Sequence, residues 1–306
     1  MKKVVLFAAN GFIGRALIDY LAKNHPEYQL SAISRNPMKS LPAACRYFPW
    51  DGKTHGAWTK ELEDAELVIN LAGKSVNCRY TKENKASIFA SRLDSTRIIG
   101  EAIDDCTKKP LCWINAASAT IYEHSLERPN TETSGIIGSG FSVNVCKAWE
   151  KQFFAFKDLP LRQVLLRTTI VLGKDGGVYP VLKKLARFGL GGKMGKGNQQ
   201  ISWIHITDFC EALWFLFENR QTSGIFNIGS PNPVRNELFQ RELRKSLNIP
   251  YYINQPEWML KTGAKLIGTE TELILKSRFI EPEKLKNMGF NFQFPSIELC
   301  LNDLRN

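Results

Sequence analysis

The stretch "FAANGFIGR", residues 7–15, decides the fold of this chain of 306 residues. It follows the short apolar run "KVVLFAA", residues 3–9, and it opens a segment in which apolar residues recur with helical spacing: Ile13, Ala16, Leu17, Tyr20 and Leu21. Gly11 and Gly14 allow close approach of the backbone to a phosphate, and the N-terminus of the next helix supplies N–H groups. The stretch therefore predicts a strand, a phosphate-binding turn and a helix.

The rest of the chain repeats this strand-and-helix rhythm. Further apolar, β-branched runs are "QLSAIS" (29–34), "AELVINLAG" (65–73), "LCWINAAS" (111–118) and "RQVLLRTTIVLG" (162–173). Continuous apolar strands that alternate with helices are typical of a parallel sheet covered on both faces. We therefore expect an α/β fold: a Rossmann-type doubly wound parallel sheet with a smaller C-terminal α/β substrate-binding lid domain.

The composition changes after Gly173, where the glycine-rich loops "GKDGGVYP" (173–180) and "RFGLGGKMGKGNQQ" (187–200) begin. We place the dinucleotide-binding domain at 1–173 and the C-terminal substrate or lid domain at 174–306. Residues 201–229, with a strand, a helix and a second strand, are expected to return to the first domain.

Composition restricts the classes of function. The net charge is +11, but lysines and arginines are spread along the chain without a basic face, so we expect no nucleic-acid partner. No run reaches the roughly 18 apolar residues of a membrane span. Seven cysteines without a CxxC pair indicate reduced thiols in a cytoplasmic protein, and four scattered histidines predict no metal site.

The second strand run ends in Ser34-Arg35-Asn36. NAD-binding folds place an acidic residue about 20 residues after the glycines, where it binds the ribose 2′-hydroxyl. Residues 28–36 contain no acidic residue. An arginine can instead bind the 2′-phosphate of NADP(H), and Ser34 adds a hydroxyl donor. The sequence thus favours NADP(H), with a surface arginine in a turn as the alternative.

Several motifs resemble the extended short-chain dehydrogenase/reductases, the group that contains nucleotide-sugar epimerases. "NLAG" (70–73) is similar to the motif on the adenine side, and "AASATIY" (116–122) to the serine motif after the fifth strand. More narrowly, the chain resembles the atypical NAD(P)-dependent "epimerase family" over nearly its whole length. The motifs that carry this resemblance are "SRLDSTR", "VCKAWE", "LRTTIVLG", "SWIHITD" and "FIEPEKLKNMGFNFQFP".

The resemblance implies roles for individual residues. Residues for the cofactor are Gly11, Phe12, Ile13 and Gly14 at the pyrophosphate, Ser34 and Arg35 at the 2′-phosphate, Leu71, Ala72 and Gly73 at the adenosine, Arg92 at a phosphate and Val171 near the nicotinamide. An ordinary ion pair is the alternative for Arg92. Ala8 replaces a glycine of the loop, and Glu123-His124 stand where this family tends to have Tyr-Gly.

The stretch "FSVNVCK" (141–147) poses the question of catalysis. In this group of enzymes a serine binds the substrate oxygen, a tyrosine transfers the proton and a lysine four residues later binds the nicotinamide ribose. Ser118 and Lys147 match the serine and the lysine, but Val143 stands in place of the tyrosine. Tyr122, four residues after Ser118, is the leading substitute, with a structural tyrosine as the alternative.

Two functions follow as hypotheses. The first is an NADP(H)-dependent oxidoreductase or epimerase-like enzyme that acts on a nucleotide sugar or another small polar carbonyl or hydroxyl compound. The second is an NADP(H)-sensing regulatory protein without turnover. Ser118 and Lys147 favour the enzyme, whereas Val143 and Glu123-His124 favour the sensor. The sequence leaves the substrate and the oligomeric state open.

Overall fold

A computed structural model describes residues 2–305 except 39, 267 and 269. The strands are β1 (Lys2–Phe7), β2 (Tyr28–Ser34), β3 (Cys45–Pro49), β4 (Leu67–Asn70), β5 (Cys112–Ser118), β6 (Arg162–Thr168), β7 (Ile170–Gly173), β8 (Gly176–Gly177), β9 (Gln200–Ile201), β10 (Trp203–His205), β11 (Gly224–Ile228) and β12 (Val234–Arg235). The helices are α1 (Phe12–Asn24), α2 (Thr59–Leu62), α3 (Lys82–Asp105), α4 (Phe141–Phe154), α5 (Tyr179–Arg187), α6 (Ile206–Glu218), α7 (Asn236–Ser246), α8 (Glu257–Leu266), α9 (Glu272–Leu275), α10 (Glu283–Asn287) and α11 (Ile297–Arg305), with a 3-10 turn at Ala119–Ile121.

The main sheet has seven parallel strands in the order β11-β6-β5-β4-β1-β2-β3. The chain runs outward from β1 to one edge and then, from β4, to the other. The strand order therefore reverses beside β1, where the carboxyl ends of β1 and β4 diverge and leave a crevice. This arrangement confirms the predicted doubly wound Rossmann-type sheet.

Helices cover both faces of this sheet. On one face α1 and α6 pack on the strands through residues such as Leu17, Leu21 and Leu213. On the other face α2, α3 and α4 pack through residues such as Ile99 and Phe153. Because both faces are covered, the central strands are buried along their length, which explains their continuous apolar runs.

A separate apolar cluster organises the later part of the chain. It joins α5, α7 and α11 to β7 and β10, with Tyr179, Phe239 and Leu301 fully buried at its centre. β7 and β10 form a small sheet with β8, and β9 pairs with β12. The predicted division into two domains at residue 174 stays a prediction, although β11 joins the main sheet beside β6.

Two details of the strands go beyond the sequence prediction. The apolar run 162–173 is divided at Thr169, whose N–H and hydroxyl both donate to the carbonyl of Ile228. β6 stays in the main sheet, while β7 turns away to pair with β10. The edge strand β3 was not foreseen, because "CRYFP" lacks an apolar run. Among the described residues, no helix has the length and hydropathy to cross a membrane.

Candidate active site

The glycine loop between β1 and α1 has the predicted tight geometry. A Cβ on Gly14 would lie 2.5 Å from the carbonyl oxygen of Ala9, so only glycine allows α1 to start this close to β1. Ala8, which replaces the usual first glycine, adopts a left-handed backbone with φ 60°. The first turn of a helix leaves its N–H groups without intrahelical acceptors, so those of Phe12, Ile13 and Gly14 are available to a phosphate.

The turn after β2 lies against this loop. The side-chain amide of Asn10 donates to the carbonyls of Asn36 and Pro37, each at 3.3 Å. The Ser34 hydroxyl donates to the carbonyl of Asn36 at 2.7 Å, so in this arrangement its hydrogen is already used. Arg35 is exposed beside them.

Arg35 also borders a surface cavity of ≈ 430 Å³. Trp50, His55 and Trp58 also line it, and His55 is the exposed ring among these three. Asp51 lines it too, and the N–H groups of residues 53 and 54 lower the pKa of that carboxyl. Aromatic walls with one guanidinium suit a flat ring that carries a phosphate.

The loop after β4 lies next to Arg92 of α3. Asn70 accepts a hydrogen bond from the N–H of Ala72 at 2.9 Å, which fixes the turn that exposes Gly73. The Arg92 guanidinium packs against Gly73, donates to the carbonyls of Lys74 and Ile88, and lies 5.0 Å above the ring of Trp149. Burial lowers the pKa of Arg92.

Arg92 is therefore held by carbonyls and a ring. No carboxylate of the described residues lies within 4.0 Å of it, so the ion pair considered as an alternative is not found there.

Ser118 ends β5 and begins the 3-10 turn. Its Oγ accepts a hydrogen bond from the N–H of Thr120 at 3.2 Å, which leaves its own hydrogen to donate to a substrate oxygen. Lys147 lies on α4, is exposed, and donates to the carbonyl of Gly138 at 3.3 Å. Two of the three predicted catalytic residues thus have free donor capacity.

Val143 lies one helical turn before Lys147 and is fully buried. It shares a small apolar cluster with Ala119, Ile121, Tyr122, Cys146 and Ile280. Ile280 comes from the C-terminal part of the chain. The place that a tyrosine would take in related enzymes is therefore a dry apolar contact between the sheet domain and the C-terminal segment.

Tyr122 points into a buried polar network. Its hydroxyl donates to Oδ1 of Asn227 at 2.9 Å and accepts from Arg167 at 2.8 Å, and the phenol is 1% exposed. Arg167 in turn donates twice to Glu150, each bond at 2.8 Å. Burial raises the pKa of Tyr122. These contacts favour a structural role for Tyr122, and its role as a proton donor stays a prediction.

Val171, predicted to lie near the nicotinamide, is buried within β7. Beside it the ring of Phe12 fills the space above Gly173, Gly176 and Gly177, where an added Cβ would lie 2.5 to 3.1 Å from the ring. The glycine loop is therefore packed directly against the β7–β8 hairpin. His205 caps α6 by accepting a hydrogen bond from the N–H of Thr207.

The fold brings further residues to this region that the sequence motifs did not indicate. Arg278 donates to Oγ1 of Thr120 at 3.2 Å, and Lys276 lies two residues before it. The Tyr80 hydroxyl lies 3.4 Å from that of Ser142 at the start of α4. Arg278 immediately precedes the quoted motif "FIEPEKLKNMGFNFQFP", and this adjacency is the signal that could have identified it.

Taken together, the doubly wound sheet and the glycine loop indicate a protein of the extended short-chain dehydrogenase/reductase type. Residues 5–229 match the model of the "NAD dependent epimerase/dehydratase family", and residues 255–304 match a "Domain of unknown function (DUF1731)". The chain belongs to the NAD dependent epimerase/dehydratase family.

Relatives of this chain match over its full length. The "Epimerase family protein SSP1921" of Staphylococcus saprophyticus is 30% identical over 304 residues, which are 99% of each chain. The human epimerase family protein SDR39U1, solved with NADPH, is 25% identical, with a TM-score of 0.84 and 99% of both chains covered. UDP-glucuronic acid 4-epimerase from Bacillus cereus shares the fold at 16% identity, with a TM-score of 0.80 and 99% and 98% coverage.

Proposed function

We propose that this protein is an NADP(H)-dependent oxidoreductase or epimerase-like enzyme that acts on a nucleotide sugar or another small polar carbonyl or hydroxyl compound. The observation that carries the proposal is the position of Arg35, exposed at the end of β2 beside both the glycine loop and an aromatic-walled cavity. The NADPH bound to the human relative and the UDP-sugar of the Bacillus cereus epimerase support this choice of ligands. The seven free cysteines suit a cytoplasmic location.

The residues present fit a nicotinamide dinucleotide. Gly11 to Gly14 would hold the pyrophosphate, because the Gly14 position admits no side chain and the first turn of α1 offers free N–H groups. Arg35 would bind the 2′-phosphate, and Leu71 to Gly73 would border the adenosine. Arg92 would reach a phosphate from α3, and Val171 would back the nicotinamide. When bound, the cofactor supplies hydride transfer.

The protein residues supply binding and orientation. Ser118 would donate its free hydrogen to the substrate oxygen, and Lys147 would hold the ribose by releasing the carbonyl of Gly138. Val143 and Ile280 keep water away from that side of the site. Tyr122 would serve as proton donor only if its bond to Asn227 opened.

A sensor that binds NADP(H) without turnover is the second candidate. Two observations favour it: Val143 is fully buried in an apolar cluster, and the hydroxyl of Tyr122 has both a donor and an acceptor partner. Losing a positioned general acid or base costs about 10²–10⁴ in rate. A sensor would respond by a change in the segment 174–200, which limited proteolysis with and without NADPH would detect.

The first test is a pair of calorimetric titrations with NADPH and NADH. We expect NADPH to bind about tenfold or more tightly than NADH, because a charge-assisted contact is worth about 1.5–3 kcal/mol. Arg35→Gln should remove most of that difference and leave NADH binding unchanged. Arg97→Gln, which removes an exposed guanidinium paired with Glu101, is the matched control.

The outcomes separate the parts of the proposal. If neither dinucleotide binds, the enzyme and the sensor both fail. Equal binding of the two would refute the role of Arg35 but leave a dinucleotide site. After binding is established, NADPH-linked turnover of nucleotide sugars and simple carbonyl compounds decides between enzyme and sensor.

A further inference from the structure

The C-terminal segment brings a guanidinium next to the serine of the site. Arg278 donates through Nε to Oγ1 of Thr120 at 3.2 Å, and the N–H of Thr120 donates to Oγ of Ser118 at 3.2 Å. Thr120 therefore makes one hydrogen bond with the guanidinium and another with the Ser118 oxygen. Its position is fixed by its own backbone, whose N–H donates to the carbonyl of Gln200.

Arg278 does not stand alone. Lys276 lies two residues earlier with its side chain 13% exposed, and its Nζ is 3.8 Å from the carboxylate of Glu272. Arg92 lies on α3, and it shares Tyr80 and Cys146 with Arg278 as electrostatic neighbours. Cys146 is also an electrostatic neighbour of Lys276, so three cations from two parts of the chain share this one side chain as a neighbour.

This cluster has an excess of positive charge. Within the described part of the chain, Glu272 is the carboxylate paired with Lys276, and neither Arg278 nor Arg92 has one within 4.0 Å. Burial lowers the pKa of Arg92 and Arg278, and burial followed by the charge of Arg278 lowers that of Lys276. Partly buried cations without enough counter-charge are unfavourable, and an incoming anion would relieve this cost.

We propose that Arg278 and Lys276, with the field of Arg92 behind them, bind an anionic group of the substrate, a carboxylate or a phosphate, next to the oxygen that Ser118 orients. A guanidinium fork matches either anion in two parallel hydrogen bonds. That Ser118 orients the substrate oxygen rests on the proposed function. The substrate class is then a hydroxy or oxo compound whose charged group lies close to the reacting carbon.

Glu272 allows a second test, in which the anion affinity is expected to change in the opposite direction. Its carboxylate neutralises part of the charge that the substrate anion would meet, so the affinity for the anion is held below its maximum. Removing that carboxylate should raise affinity. A gain of this kind cannot arise from misfolding, whereas a loss in an arginine variant can.

The experiment is an NMR titration of the NADPH-loaded protein with inorganic phosphate and, separately, with malonate, at constant ionic strength. We expect saturable binding of at least one of the two anions to the wild type. Arg278→Gln should weaken it about tenfold or more, as for loss of a charge-assisted pair. Glu272→Gln should tighten it, and Arg97→Gln should leave it unchanged. The anion that binds more tightly identifies the chemistry of the group.

Loading with NADPH separates this inference from the proposed function. If NADPH does not bind the wild type, the proposed function fails before any anion is added. If NADPH binds but neither anion does, or Arg278→Gln and Arg97→Gln give equal anion affinities, the anion site is refuted and the dinucleotide site stands. Unchanged or weaker affinity in Glu272→Gln would also refute it.

Discussion

Replacing Tyr122 by phenylalanine separates the two readings of this residue. The change removes only the hydroxyl, which donates to Asn227 at 2.9 Å and accepts from Arg167 at 2.8 Å. Both partners are buried, and each would be left with an unsatisfied polar group. Leaving a buried group unsatisfied costs about 1–3 kcal/mol, so with two such groups we expect the free energy of unfolding to fall by about 2–6 kcal/mol.

This loss of unfolding free energy can be converted into a change in melting temperature. At about 2.1 cal/mol/K per residue, the unfolding entropy of a chain of this length is roughly 0.6 kcal/mol/K. Thermal unfolding followed by circular dichroism should therefore show a melting temperature lowered by about 3–9 °C. The control is Tyr251→Phe, because Tyr251 is 61% exposed and makes one 3.4 Å bond to the carbonyl of Arg187. Its melting temperature should stay within about 1 °C of wild type.

The result also bears on catalysis. If Tyr122→Phe and Tyr251→Phe have the same melting temperature, the buried hydrogen bonds of Tyr122 do not stabilise the fold, and the prediction is refuted. If it is folded, binds NADPH with unchanged affinity and yet loses NADPH-linked turnover, Tyr122 is the proton donor. If turnover persists in the destabilised variant, its role is structural.

Two further predictions concern the loop and the pH response. Gly14→Ala places a Cβ 2.5 Å from the carbonyl oxygen of Ala9, so it should destabilise the fold and abolish NADPH binding in calorimetry. The control is Gly263→Ala, because an added Cβ there has no atom within 4 Å. This change should leave stability the same or raise it by up to about 1 kcal/mol. Burial lowers the pKa of His205 from 6.5 to about 4. The unfolded state therefore takes up the proton first, and stability should fall between pH 6.5 and 4, by about 3 kcal/mol in all. Denaturant titrations between pH 6.5 and 4 should show that the unfolding free energy declines less steeply with falling pH in His205→Gln than in the wild type. Equal slopes in the two proteins would contradict this role of His205.

The sheet was predictable because its information is local. The glycine loop and the apolar runs that form β1, β2, β4 and β5 each indicate their structure within ten residues or so. The division of the run 162–173 into β6 and β7 could not be predicted, because apolar periodicity cannot show that Thr169 bonds to Ile228, a partner far along the chain. Strand β3 is an edge strand of mixed polarity, so its pairing with β2 decides its structure.

The residues of the candidate site likewise divide into those indicated by local motifs and those positioned by long-range contacts. Gly14, Ser118 and Lys147 lie in motifs that predict a role for each of them separately. Arg278 is brought to Thr120 by the path of the C-terminal segment, a contact across 158 positions that no local pattern encodes. The bonds of Tyr122 to Asn227 and Arg167 likewise depend on the order of the strands, so the sequence alone could not distinguish its two roles.

The buried contact of Val143 with the cluster that contains Ile280 has a consequence for the history of this chain. A tyrosine at position 143 would need space that the segment around Ile280 now fills, and loss of Ile280 alone would leave a void beside the valine. Each position therefore limits the substitutions that the other can accept. To regain the usual tyrosine–lysine pair, a descendant would need simultaneous changes in two regions that lie well over a hundred residues apart in the sequence. Single substitutions are therefore not expected to restore the tyrosine.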